Sequence, residues 1–250
     1  LMKRICLLLL FLAFLITACS SGTGSPGALS HPSATPTVTL SDDSIRPASF
    51  TTPDHLQLAG LVYGQGKTMI ICTHMSDTTY DTWIDTGMPQ QLATLGYSVL
   101  LFNFRGYGTS QGSQDPSFLD VDLRAAVHFA QQQGATRIVL MGASMGATAA
   151  LKVAAEIQVT AVISLSGPLA FGVSITDDEL KAMKTPKLFL ASADDPPFAG
   201  AATHMDEVAS APKQIQIYPG MAHGTQLLLS PDTDPARLIL HFIEQYAPAI

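Results

Sequence analysis

Charged side chains are scarce in this sequence. Asp, Glu, Lys and Arg make up 13% of 250 residues, and the 13 Lys and Arg are outnumbered by 20 acids, for a formal charge of −7. Binding along a phosphate backbone needs clustered cations, so nucleic acid is excluded as an expected partner. Three cysteines cannot build a disulfide-dense secreted scaffold. No His, Cys or Asp cluster has the spacing of a zinc site, so neither metal nor cofactor is expected. What is abundant is apolar: 47% of residues are hydrophobic and the mean hydropathy is +0.26. That balance excludes intrinsic disorder. The length suits one large domain or two small ones, with a sizeable core.

Many of the apolar residues stand at the N-terminus. Lys3 and Arg4 precede an uncharged apolar run from Ile5 to Ile16, shorter than the roughly 20 residues that span a bilayer as a helix. A basic start, a short apolar stretch and small residues after it describe a secretory signal. Ile16-Thr17-Ala18-Cys19 resembles the lipobox of bacterial lipoproteins. The resemblance implies cleavage before Cys19 and a diacylglycerol on its thiol; the alternative is an ordinary signal with a chance cysteine. Residues 20–40 are rich in Ser, Thr, Gly and Pro and carry no Asp, Glu, Lys or Arg, the composition of a flexible tether. The expected organisation is a signal at 1–18, a lipidated Cys19 with its tether at 19–45, and a folded domain at 46–250. The domain would be held at a membrane outside the cytoplasm. Cys72, in an apolar run, is expected to be a buried structural thiol.

The domain reads as apolar strands alternating with amphipathic helices. A hairpin is expected at Ser49–Thr52 and Leu56–Tyr63. Strands follow at Met69–Thr73, Tyr97–Phe104, Arg137–Met141, Val159–Leu165, Lys187–Ala191 and Gln214–Tyr218. Helices are expected at Thr82–Leu95, Phe118–Gln133, Ala147–Glu156 and from about Asp234 to Tyr246. Fully apolar strands between helices predict an α/β fold: a mostly parallel sheet with helices on both faces. Such sheets bind ligands at the carboxyl ends of their strands.

One strand end carries Gly142-Ala143-Ser144-Met145-Gly146, a G-x-S-x-G pattern between a strand and an Ala-rich helix, the context of a nucleophile elbow. Ser144 must take a strained backbone to lift its hydroxyl off the sheet, and the flanking glycines let strand and helix approach. The Met145 N–H would lie at a helix N-terminus, where it can donate to an oxyanion. A serine needs a base held by an acid. The later strand ends supply Asp194-Asp195 and then His223, in the order Ser, Asp, His.

These motifs, with His74-Met75-Ser76 after the third strand and Phe104-Arg105-Gly106-Tyr107-Gly108, resemble the α/β-hydrolases of the serine esterase and peptidase type. The resemblance spans about residues 49–246. It implies an α/β-hydrolase fold with Ser144 as nucleophile, His223 as general base and Asp195 as the acid, Asp194 standing beside it as the alternative. It also implies oxyanion donation by the backbone N–H groups of Met145 and Ser76, although Met75 stands where the family has glycine and could itself be the donor. Asn103 replaces a common aspartate, for which a structural effect alone is expected. His74 is expected to order its loop, and Met75, Met145 and Met221 could line an acyl pocket.

Larger relatives insert a lid after the sixth strand. Here Ser166 to Pro186 has room for one short helix around Asp178–Met183, so no large lid domain and an open site are expected. The expected activity is hydrolysis of a small-molecule ester or acyl substrate through an acyl-enzyme. A peptidase or amidase of the same fold and a non-catalytic surface-binding module remain as alternatives.

Overall fold

The computed structural model describes residues 44–230 and 234–250. The expected signal, Cys19 and all but the last residues of the tether lie outside the described residues. The chain opens with β1 (Ile45–Thr51) and β2 (Gln57–Tyr63), an antiparallel hairpin turned through His55, followed by β3 (Thr68–Thr73). Where a single helix is expected at 82–95 there are two, α1 (Asp81–Ile84) and α2 (Met88–Thr94). The break has a local cause: Gly87 sits at φ 70°, in the left-handed region, and Pro89 opens the next helix. Then come β4 (Ser98–Phe102), α3 (Leu119–Gln132), β5 (Arg137–Ala143), α4 (Met145–Glu156) and β6 (Ala161–Leu165).

The segment after β6 holds a small hairpin, β7 (Ala170–Phe171) and β8 (Val173–Ser174), and one short helix, α5 (Asp177–Ala182). Thr176 and Glu179 cap that helix reciprocally. The chain ends with β9 (Lys187–Ser192), α6 (Phe198–Val208), β10 (Lys213–Tyr218) and α7 (Pro235–Tyr246). The β7–β8 hairpin and α6 are additions to the sequence reading. Two-residue strands are too short to show a period. In α6 the stretch Phe198–Ala202 is mostly small residues, and only Ala202 and Met205 are buried.

The sheet runs in the order β1-β2-β4-β3-β5-β6-β9-β10. The first two pairings are antiparallel; from β4 to β10 every pairing is parallel. Alternate residues of each central strand enter opposite layers. Met69, Ile71, Leu140, Val162 and Phe189 pack under α3, α4 and α6. Ile70, Cys72, Val139, Met141, Ile163 and Leu188 pack with Trp83, Leu92, Ile239, Phe242 and Ile243 on the other face. Both faces are therefore covered, as unbroken apolar strands require. Cys72 is fully buried, and burial raises its thiol pKa, as fits a structural role.

Chain order reverses beside β3, whose neighbours are β4 on one side and β5 on the other. The loops leaving β3 and β5 thus emerge side by side at one end of the sheet, where sheets of this kind bind ligands. A groove of about 1180 Å³ lies at the opposite end among Ile138, Thr160 and Pro186, where the strands begin.

Candidate active site

Ser144 stands between the last residue of β5 and the first of α4, at φ 50° and ψ −117°. That backbone is costly for an L-residue and is held by its surroundings. The Ser144 N–H donates to the Leu165 carbonyl (2.8 Å), and its carbonyl accepts from Ala147 N–H (2.9 Å). The glycine at 146 is required by space: a Cβ there would lie 2.6 Å from the Thr73 carbonyl oxygen and 2.7 Å from that of His74. The elbow helix therefore butts against the loop that carries His74, Met75 and Ser76.

That loop is ordered by its histidine. His74 is fully buried, and the Phe104 N–H donates to its Nε2 at 3.1 Å. The proton must then sit on Nδ1, which donates to the Met75 carbonyl at 2.7 Å. Thr78 Oγ1 donates to the same carbonyl at 3.0 Å. A trans peptide points its C=O and N–H in opposite directions, so the two bonds aim the Ser76 N–H away from His74 and Thr78. Among the described residues the N–H groups of Met75, Ser76 and Met145 have no hydrogen-bond acceptor. Burial holds the His74 pKa down at about 4, which keeps the ring neutral. The rings of Phe104 and Tyr107 pack against it edgewise, with centroids 5.2 and 4.8 Å away.

His223 follows β10, and its Nδ1 lies 2.8 Å from Asp195 Oδ2, just past β9. The ring also rests against Phe198, the first residue of α6, with centroids 4.3 Å apart. Asp194 is exposed, and among the described residues its carboxylate has no hydrogen-bond partner. Gly224, after His223, lies against Ala143, before Ser144: a Cβ on Gly224 would sit 3.3 Å from that of Ala143. Ser144, Asp195 and His223 thus share one end of the sheet, on the loops after β5, β9 and β10.

The three methionines do not form one pocket. Met75 is buried beneath Gly224 and Thr225. Met145 is buried on the opposite face of the sheet, 3.8 Å from the Tyr107 hydroxyl. Met221 is 76% exposed. Asn103 takes the structural part expected of it, its Oδ1 accepting from Tyr80 N–H at 2.8 Å. Arg105 anchors its loop through Asp122 (2.7 Å) and Asp54 (2.9 Å), with its guanidinium 4.1 Å above the Phe118 ring. A groove of about 570 Å³ is lined by Asp77, Thr78, Thr79, Thr82 and Tyr107; Ser76, Ser144 and His223 are not among its lining residues. Sequence reasoning missed Ser166, Ser192 and Phe198, which border the histidine loop. A small polar residue at the end of an apolar run, Ser192 closing β9 and Ser166 just past β6, is the signal that could have marked both serines.

Comparison with known proteins agrees with this architecture. A 234-residue alignment with an uncharacterized protein of Mycobacterium tuberculosis has 26% identity and covers 79% of this chain and 80% of that one. Among solved structures, a Pyrococcus furiosus esterase superposes with TM-score 0.69 at 17% identity, covering 81% of this chain and 92% of its own. A serine hydrolase without lid from Xanthomonas campestris superposes with TM-score 0.69 at 22% identity, covering 84% and 99%. The family model of the α/β hydrolase fold matches residues 67–246. That stretch holds the strained serine, the buried loop histidine and the paired Asp195 and His223, and with the match across it the chain belongs to the α/β hydrolase fold family.

Proposed function

We propose that this protein is a serine hydrolase that cleaves carboxylic esters of small molecules. The observation that carries the reading is the 2.8 Å contact between His223 Nδ1 and Asp195 Oδ2 at the sheet end that also bears the strained Ser144. In the proposed mechanism His223 Nε2 takes the Ser144 proton as Oγ attacks the ester carbonyl. Asp195 holds the Nδ1–H tautomer and stabilises the imidazolium that forms. The carbonyl oxygen becomes an oxyanion, met by the N–H groups of Met145 and Ser76. His223 then returns the proton to the leaving alcohol, and water activated by the same ring releases the acid from Ser144. The preference for Ser76 over Met75 as donor rests on the peptide orientation imposed by His74 and Thr78.

The site's surroundings favour a modest substrate. The segment between β6 and β9 forms only a hairpin and a short helix, too little to cover the sheet end that bears Ser144 and His223. Such an open site suits soluble esters better than substrates that need a closing lid. The anchor belongs to the same proposal: Ile16-Thr17-Ala18-Cys19 would place a lipid on Cys19 and hold the enzyme outside the cytoplasm.

Fluorophosphonate labelling of the protein beside Ser144→Ala tests the chemistry. Labelling that survives the substitution, or is absent from both, would remove the serine-hydrolase reading. A panel of p-nitrophenyl esters of rising chain length, with aminoacyl amides alongside, tests the substrate class. Turnover of the amides in preference to the esters would replace esterase by peptidase. Mass spectrometry of the mature N-terminus tests the anchor, which an unmodified Cys19 would refute.

A further inference from the structure

Leu165 ends β6 and Ser166 follows it, and the pair touches the backbone on both sides of the proposed catalytic gap. The Leu165 carbonyl accepts from the N–H of Ser144 at 2.8 Å. The Ser166 hydroxyl accepts from the N–H of Gly224, the residue after His223, at 3.1 Å. Ser166 is itself fixed: it is fully buried, and its N–H donates to the Leu190 carbonyl at 2.7 Å. Its φ is 50°, a region that glycine enters freely and serine enters with strain. The backbone alone would be better served by glycine; the hydroxyl is what serine adds there.

On the other flank Ser192, also fully buried, donates its hydroxyl to the carbonyl of Ala222 at 2.7 Å. The polar backbone groups immediately before and after His223 thus each end on a buried serine hydroxyl. The loop is also held at its ends, where the Gly220 carbonyl accepts from Asp194 N–H at 2.9 Å and the His223 carbonyl from Gln226 N–H at 3.0 Å, but the two peptide groups that flank the His223 Cα toward the sheet are met by these two hydroxyls. Without the hydroxyls, the Gly224 N–H and the Ala222 carbonyl lose their partners and the loop must shift to recover them.

We infer that Ser166 and Ser192 are positioning residues, a two-point clamp on the His223 backbone that sets where the imidazole stands relative to Ser144. The inference rests on the reading of Ser144 and His223 as nucleophile and base. Neither serine is placed against substrate; both act through His223. A displacement of about 1 Å at a catalytic group can lower rates on the order of 100-fold, so two hydrogen bonds far from the ester carbonyl can carry a large part of the rate.

Ser166→Gly, Ser192→Ala, the double variant and Ser192→Thr test the clamp. Glycine relieves the strained φ at 166, so Ser166→Gly is expected to keep the wild-type melting temperature while kcat falls about 10- to 100-fold, with KM little changed. Ser192→Ala is expected to lower kcat similarly and Ser192→Thr to restore it. A second readout needs no substrate: the downfield proton resonance of the His223 Nδ1–H bonded to Asp195. It should shift or broaden in Ser166→Gly and Ser192→Ala and stay in place in Ser192→Thr. Unchanged kcat and an unchanged resonance in folded Ser166→Gly and Ser192→Ala would overturn the clamp. If the wild type shows no Ser144-dependent labelling, the proposed function fails, and the resonance still decides the clamp on its own.

Discussion

Asp195 and His223, 28 residues apart in sequence, meet through a 2.8 Å contact between Oδ2 and Nδ1, while Asp194 turns its carboxylate to solvent. The two acids differ by one position on the loop after β9. Asp195 is the one whose side chain is largely enclosed, 11% exposed beside a His223 side chain at 27%.

Substitution should therefore separate the two acids. Asp195→Asn is expected to lower kcat on the order of 10³- to 10⁴-fold, because the amide donates toward Nδ1 and favours the wrong imidazole tautomer. Asp194→Asn should leave kcat near the wild-type value. Steady-state kinetics on a short-chain p-nitrophenyl ester reads both, and the reverse pattern would reassign the acid.

Gly146→Ala places a methyl carbon within 2.7 Å of two backbone carbonyl oxygens, those of Thr73 and His74. Backbone yields less readily than a flexible side chain, so the helix or the loop must move. Such overpacking destabilises by about 1–3 kcal/mol and spoils the loop that carries Ser76. Denaturant unfolding should show the lower midpoint, and fluorophosphonate labelling the slower reaction. A variant that labels at the wild-type rate would contradict the close fit.

His74 makes stability depend on pH with a definite sign. Its folded pKa is about 4 against an ordinary 6.5, because burial disfavours the charged ring. Below pH 6.5 the unfolded chain takes up a proton that the native ring refuses, so the unfolded state gains. The stability this histidine supports is present above pH 6.5 and is lost progressively down to about pH 4. The loss is bounded by ~3.5 kcal/mol, from about 1.4 kcal/mol per pH unit of displacement. Urea titrations at pH 7 and pH 5 on wild type and His74→Gln test it: the stability advantage of wild type should shrink at pH 5.

Arg105 carries the loop that follows β4. It bonds the fully buried Asp122 through Nε and Nη2 and the more exposed Asp54 through both Nη atoms. Arg105→Met would leave Asp122 buried without its cation, which should cost about 3–5 kcal/mol. The double variant Arg105→Met, Asp122→Leu should recover much of that loss, since it removes both charges together. Chemical denaturation of the three proteins measures the difference, and equal loss in single and double variants would contradict it.

Much of this architecture was legible in the chain. The strained turn at Ser144 could be found because it is local: a strand, a glycine on each side of the turn and a small-residue helix are all short-range features. The parallel strands were legible because burial on both faces forbids polar interruption, as in Thr68–Thr73 and Ser98–Phe102. Gly87 and Pro89 were equally visible, yet the apolar periodicity across them suggested one helix where the backbone makes two.

What the sequence by itself determined is the α/β class, the strand-to-helix rhythm and the chemical types available at the strand ends, all set by residue spacing and side-chain volume. Tertiary structure alone decided which groups meet. It set Asp195 rather than Asp194 against His223, buried His74 so that its tautomer follows from Phe104, and brought Ser166 and Ser192 to the two flanks of His223. It also enclosed Lys187, a strand opener by sequence, with its ammonium near the carbonyls of Met183 and Ser210 and its pKa held down at about 8. The physical reason is common to these cases. A hydrogen bond is decided within a few tenths of an ångström and by direction, and residues tens of positions apart reach that precision only when the sheet order sets their strands side by side.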